Sequence, residues 1–438
     1  MLSMIPLSKW RQFMQQKNVR MVLLTILLLA ACIQNIELFH VVASFKLVHL
    51  AGVLLFPLIL ILRPNRPLGI KWWAVVGILT VHTAVTYFFF GLNSWLLNGI
   101  FCVYIVWCVW KLSSDLDKDD WLRVFRITAV VVLLCATANI IFQFDKIWEF
   151  MIAPGFHHPV YETVFGGGPN LDASWIGLFC FVMAGTVWWR PYYVASVIIS
   201  LLTNSRAGLL ANGAFVVWLF VHWAWTAWKE KKVFHVHYDR KKSVLSIVLA
   251  VCIVGAYGLA QAAALHGGVF VTEPDASFSQ STGETSDKGA ATSLLDNLTD
   301  RMTAVGDEPG SEGRLNMWQH IPTVLTQNPL GYGLGNGIEA VRSCDPENIP
   351  DGNLHNIYFQ ALLDFGVPGA ICLLAAVFLF IKKELPTLAA WPVAAFILCY
   401  LCLGAIQYRM LEVPAWIAIT AYVSANSTQK TKGDHAEV

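Results

Sequence analysis

Runs of about twenty apolar residues recur along nearly the whole chain, and they limit its fold more than any other feature. A bilayer offers no water to an open backbone, so a crossing segment must close its own hydrogen bonds as a helix of about 20 residues. Twelve such segments are read at 21–40, 44–62, 72–90, 94–110, 124–142, 171–189, 191–204, 207–228, 244–265, 356–381, 387–405 and 410–425. The seventh and the last are short. Hydrophobic residues make up 56% of the chain and charged residues 13%, against roughly 25% charged in soluble domains, so the sequence predicts an all-α integral membrane protein.

Loop charge tests the count independently, because one missed or invented segment would invert every later loop. With the N-terminus cytoplasmic, 22 of the 30 basic residues fall on the inner side, from Lys9 and Arg11 through Lys229 to Lys242 and on to Lys430 and Lys432. The other eight are Lys46, Lys146, Arg206, Lys288, Arg301, Arg314, Arg342 and Arg409. The run from Lys229 to Lys242 reads as a topological anchor rather than a nucleic-acid site. Leu29-Ala-Ala-Cys32 has the pattern of a lipoprotein cleavage site, but the many spans that follow favour an uncleaved first helix. Of ten cysteines only Cys344 lies outside a span, so no disulfide framework is drawn.

The expected organisation is spans one to nine over 1–265, a loop domain with short helices over 266–355, spans ten to twelve over 356–425, and a cytoplasmic tail over 426–438. The loop lies on the outer side and carries thirteen acidic against four basic residues, a net of −9. Its first part, 272–292, has no periodicity. From Ser311 the run SEGRLNMWQHIPTVLTQNP has helical period through Leu315, Trp318, Ile321 and Leu325 and closes at Asn328 and Pro329. LGYGLGNG follows, with glycine at 331, 333, 335 and 337, a density that allows close backbone approach or several turns.

Two outer arginines and one histidine stand at helix starts. Ser205 or Asn204 is expected to cap the eighth span, placing Arg206 against the positive end of a helix dipole. That conflict disappears when an anion binds there. Asn353 is expected to cap the tenth span, with His355 in its first turn, where a neutral imidazole can take a proton. A lipid diphosphate needs charge neutralisation as it leaves, and a sugar hydroxyl needs a base, so Arg206, Arg314 and His355 suit glycosyl transfer.

At these residues the chain resembles a known family. SRAGLLA with Arg206, GRLNMW with Arg314 and Trp318, NPLGYGLGNG, and LHNIYFQALLDFGVPG with His355 look like the successive landmarks of the O-antigen ligase and O-antigen polymerase superfamily. The resemblance runs from about Gly168 to Gly369, and QYRMLEVP resembles a late arginine-bearing loop of ligases. It implies a bacterial inner-membrane glycosyltransferase of GT-C type with a periplasmic site, both termini cytoplasmic, and undecaprenyl-diphosphate-linked glycan as donor. It further implies an inverting reaction without metal or other cofactor, Arg206 and Arg314 on the diphosphate, and His355 as base. Arg409, Trp318, Tyr332 and Asn356 are possible substrate contacts on the same grounds.

Alternatives stay open. A ligase transfers glycan to the lipid A core and a polymerase to a second lipid-linked repeat unit; the span count, the long loop and Arg409 favour a ligase. Protein-modifying oligosaccharyltransferases share the His355-Asn-x-x-x-Gln360 pattern but carry a further C-terminal region. A transporter or lipid flippase would use polar groups such as Lys46, Asp364 and Glu412, but would be expected to show two matching halves. His49, His82 and His222 read as packed or pore-facing helix residues rather than ligands, and His157, His158, Glu162 and Asp172 as a solvated loop rather than a metal cluster.

Overall fold

The computed structural model describes residues 12, 16–34, 37–40, 44–61, 70–91, 94–113, 115–147, 163–165, 168–203, 205–230, 309–346, 349, 354–384, 391–406 and 412–434. In chain order the elements are α1 (Lys17–Cys32), β1 (Glu37–His40), β2 (Ser44–Lys46), α2 (Leu47–Ile61), α3 (Ile70–Phe90), α4 (Ser94–Leu112) and α5 (Lys118–Phe142). Next come α6 (Pro169–Met183), α7 (Trp189–Leu202), α8 (Arg206–Glu230), α9 (Pro309–Gln327), α10 (Asn336–Arg342), α11 (Ile357–Glu384), α12 (Pro392–Leu403) and α13 (Val413–Asp434). A helix lies under every expected span except the ninth, 244–265, which falls outside the described residues. Among the described residues, stretches of α4, α5, α8 and α11 are long and apolar enough to cross a membrane.

The mostly helical structure agrees with an all-α membrane protein, and the expected end of the first span needs correction. The first helix stops at Cys32 instead of running to residue 40, and β1 pairs antiparallel with β2. Gln34 accounts for the stop: its backbone N–H bonds the Val164 carbonyl at 2.8 Å and its side chain turns back onto Ala31. Hydropathy alone runs over such a polar interruption.

Helix α6 is the centre of the bundle. It is buried from Leu171 to Met183 and packs against α5, α7, α8 and α12. Trp175 lies between Phe165, Phe396 and Tyr400, and Phe179 also meets Phe396. The α6–α8 contact is close because Gly177 faces Ala211 and Gly208 faces Ala173, so neither helix carries a large side chain at the crossing. Arg126 closes the far end of α6 by donating to the Val182 and Ala184 carbonyls at 2.9 and 3.1 Å.

The bundle has two chemically different ends. At one, Lys17 meets Asp120 at 2.6 Å, Arg20 meets Asp115 at 3.8 Å, Lys118 lies over Trp391 and Lys383 reaches the Tyr422 hydroxyl. The other end gathers the starts of α6, α8 and α11 with the finish of α12. Between the ends, α3 turns Ile78, Val81, Val85, Phe88 and Phe89 outward, the surface a lipid-facing helix presents.

Helix α11 is two limbs. Gly366 has φ 69° and ψ −171°, a region open only to glycine, and it separates 357–365 from 367–384. The break would orphan the Leu363 and Asp364 carbonyls, because Val367 is turned away and Pro368 has no N–H to give. Residues 329–333 repair it: Tyr332 N–H bonds Leu363 O and Gly333 N–H bonds Asp364 O, both at 2.9 Å, while Val367 N–H bonds Pro329 O at 2.9 Å. Gly331 lies backbone to backbone with Gly366, and a Cβ on either would run into the other's main chain. This explains part of the glycine alternation seen in the sequence.

Candidate functional site

Three consecutive carbonyls at the finish of α12 organise the site end. Ile357 N–H bonds Gly404 O at 2.8 Å, Asn356 Nδ2 donates to Ala405 O at 2.9 Å, and Arg314 Nη1 donates to Ile406 O at 3.1 Å. Residues 404–406 follow Leu403, the last of α12, and no later helical turn takes their carbonyls. Here they fix α9 and the start of α11 at neighbouring positions, so Arg314 and His355 come together at the same helix end.

The cap of α11 is Asn356, not Asn353, which lies outside the described residues. Asn356 Oδ1 accepts from Tyr358 N–H and Phe359 N–H, each at 3.0 Å, as an N-cap side chain does. His355 therefore sits one residue before the cap rather than in the first helical turn. Its φ of 51° is left-handed, an uncommon state for a residue other than glycine. Neighbours on both sides impose it: Leu354 is buried with its carbonyl taken by Trp318 Nε1 at 3.1 Å, and Asn356 is anchored on Ala405.

Arg206 opens α8, and Ser205 caps that helix, its Oγ accepting from Gly208 N–H at 3.0 Å. Below it, Ser196 Oγ donates to Asn212 Oδ1 at 2.9 Å, and Asn212 Nδ2 donates to Ser200 Oγ at 3.1 Å and Gly208 O at 2.9 Å. This buried network joins α7 to the first turns of α8 and fixes the base of Arg206. Arg206 reaches the site end through α6 and α8, not through the 404–406 carbonyls. The common end follows from packing: α6 and α8 run parallel with Gly177 at Ala211, and α12 runs antiparallel to α6 with Tyr400 on Trp175.

The remaining expected contacts divide. Trp318 donates its indole N–H to Leu354 and sets its ring edge-on to Phe359, which makes it a support for the His355 segment. Asn356 uses both ends of its amide within the protein, also as a support. Tyr332 is 8% exposed, bonds Val324 O through its hydroxyl and packs on Phe90; its place is in a small core rather than open to sugar. Arg409 lies outside the described residues, as do His157, His158 and Glu162. Asp172 is fully buried, and its carboxylate accepts from Val164 and Phe165 N–H at 2.8 Å each, so it anchors a turn.

Sequence reading passed over three groups. Asn212, Ser196 and Ser200 look like ordinary polar residues in apolar helices, and only their spacing of four along α7 and their match to one residue of α8 could have signalled them. Asp364, which the transporter reading would use, binds Gly337 N–H instead. His82 and His222 are packed, the first on Leu330 O and the second on Trp218.

A family model described as O-antigen ligase matches residues 191–374, from the start of α7 into the second limb of α11. No curated protein matches the chain. The matched segment contains Arg206, Arg314 and His355 together with Trp318, Tyr332 and Asn356, and ends before Arg409. Members of this family are membrane glycosyltransferase-like ligases and polymerases that handle lipid-linked glycans, and the apolar helices make this chain a multi-pass membrane protein. Over residues 191–374 the chain is therefore similar to the O-antigen ligase superfamily.

Proposed function

We propose that the protein transfers a glycan from undecaprenyl diphosphate to an acceptor hydroxyl of the lipid A core, at the periplasmic face of a bacterial inner membrane. The carrying observation is the row of three α12 carbonyls that holds Arg314 beside the His355 segment, at the bundle end where Arg206 begins α8. The inner assignment of the opposite end rests on its basic residues.

The chemistry follows from the residue types. The acceptor oxygen attacks the anomeric carbon on the face opposite the diphosphate; its new C–O bond forms as the bond to the diphosphate oxygen breaks. The hydroxyl proton passes to His355, and the leaving diphosphate is neutralised by Arg206 and Arg314, aided by the positive end of α8. One direct displacement inverts the anomeric centre. Two guanidinium groups take the part that a divalent cation has in other diphosphate chemistry. The GT-C architecture and the twelve-span topology belong to the same reading.

Purified protein given an undecaprenyl-diphosphate-linked glycan tests it, with core lipopolysaccharide lacking O-chain in one arm and a second lipid-linked repeat unit in the other. Product on the core is the expected result. Elongated carrier-linked product would make the protein a polymerase, and counterflow without bond formation a transporter. Arg206→Ala and Arg314→Ala are each expected to lower transfer by about 100-fold or more, the usual effect of removing a charge-stabilising donor.

A further inference from the structure

The limb 357–365 of α11 is held at both ends, and the second hold has a role of its own. At the first end lie the 404–406 carbonyls and Trp318. At the other end Asp364 is 1% exposed. Its Oδ1 accepts from Gly337 N–H at 3.3 Å, and its carbonyl takes Gly333 N–H at 2.9 Å. One residue thus ties the limb to the first turn of α10 and to the glycine segment. A carboxylate in so buried a place is costly unless its bonds do something for the fold or the site.

We propose that Asp364 is a positioning residue that sets the direction of His355 by preventing the limb 357–365 from pivoting on the α12 carbonyls. The proposal rests on the reading of His355 as the base. Asp364 stands seven residues from Ile357, about 10 Å along a helix at 1.5 Å per residue, so release of the far end lets the near end swing. A displacement of about 1 Å at a reacting group is enough to lower a rate about 100-fold. Position, not proton transfer, is the quantity Asp364 controls, because its carboxylate bonds a backbone N–H of α10.

The test is the transfer assay on wild type, Asp364→Ala, Asp364→Asn and His355→Ala, with rates expressed per monodisperse folded molecule and donor binding measured separately. Asp364→Ala is expected to lower kcat by about 10- to 100-fold with donor Kd within twofold and the pH–rate profile unchanged in shape. Asp364→Asn keeps the accepting oxygen and is expected to return kcat to within a few-fold of wild type. Gly337→Ala presses on Leu363 and Asp364 from the other side and is expected to lower kcat in the same way, which covers the case in which Asp364→Ala does not fold. Wild-type rates per folded molecule in Asp364→Ala or Gly337→Ala overturn the proposal, as does an Asp364→Asn protein that folds and stays inactive. Failure of the underlying reading looks different: wild type transfers nothing, or His355→Ala transfers at the wild-type rate.

Discussion

His355 carries its imidazole on a left-handed backbone, and that separates two effects usually mixed in one substitution. Alanine at 355 removes the ring and also loses the several-fold preference that histidine has for that conformation. Asparagine removes the base but tolerates the same φ. His355→Asn is therefore expected to melt at or above the wild-type temperature while being as inactive as His355→Ala; transfer by the asparagine variant at more than a few per cent of wild type would end the case for a base at 355. The sequence was readable here only in part. Ser205 as the cap of Arg206 is a local signal, and so is the helix that carries Arg314. Asn353 and Asn356 are equal candidates until Ala405, far along the chain, takes the Asn356 amide.

Among the elements, α11 shows how a continuous apolar run can hide a break. Gly366, Val367 and Pro368 contain the punctuation, yet the apolar residues on both sides read as one span. What decides it is tertiary: the N–H groups of Tyr332 and Gly333 arrive from a segment that begins after α9. Gly366→Ala is expected to destabilise the protein by about 1–3 kcal/mol from backbone strain alone, before any collision with Leu330 and Pro329. Thermal unfolding in detergent measures it, with Gly369→Ala as a comparison inside the second limb. An unchanged melting temperature for Gly366→Ala would mean that the limbs do not meet at this angle.

Over the whole molecule, the basic end carries a pH dependence of its own. At the basic end the hydrogen bond to Asp120 leads the influences that raise Lys17's pKa. Burial works to raise the Asp117 carboxyl, but its bonds to Asp120 and Lys17 outweigh that and leave it low. A raised lysine contributes fully below the ordinary lysine range and loses its contribution as pH rises through its folded value; a depressed carboxylate contributes above the ordinary carboxylate range and loses its share as pH falls. Stability from this cluster is expected to be level across neutral pH and to decline at both extremes. Lys17→Met should lower the melting temperature slightly, since half-exposed pairs are worth about 1 kcal/mol or less, and should flatten the alkaline decline. Parallel curves for the two proteins between pH 9 and 11 would show that the pair is idle. The order of apolar segments and the sidedness of loop charge made this two-ended plan legible from the sequence, while the strand pair β1–β2 was not, because its strands are too short to alter a hydropathy window.

The break at Gly366 also has a depth. Lys382 and Lys383 close α11, and sixteen residues at 1.5 Å each put Gly366 about 24 Å from Lys382, against a hydrocarbon layer about 30 Å thick. With the lysines among one set of headgroups, a straight limb would leave the chain at 329–333 several ångströms beneath the other set. His82, eight residues back from the end of α3, meets the Leu330 carbonyl at a comparable level. Irregular backbone survives at such a depth only while protein walls it off from lipid tails. A detergent or acyl chain that worked its way between α3 and α11 would strand amide groups that nothing in hydrocarbon can satisfy.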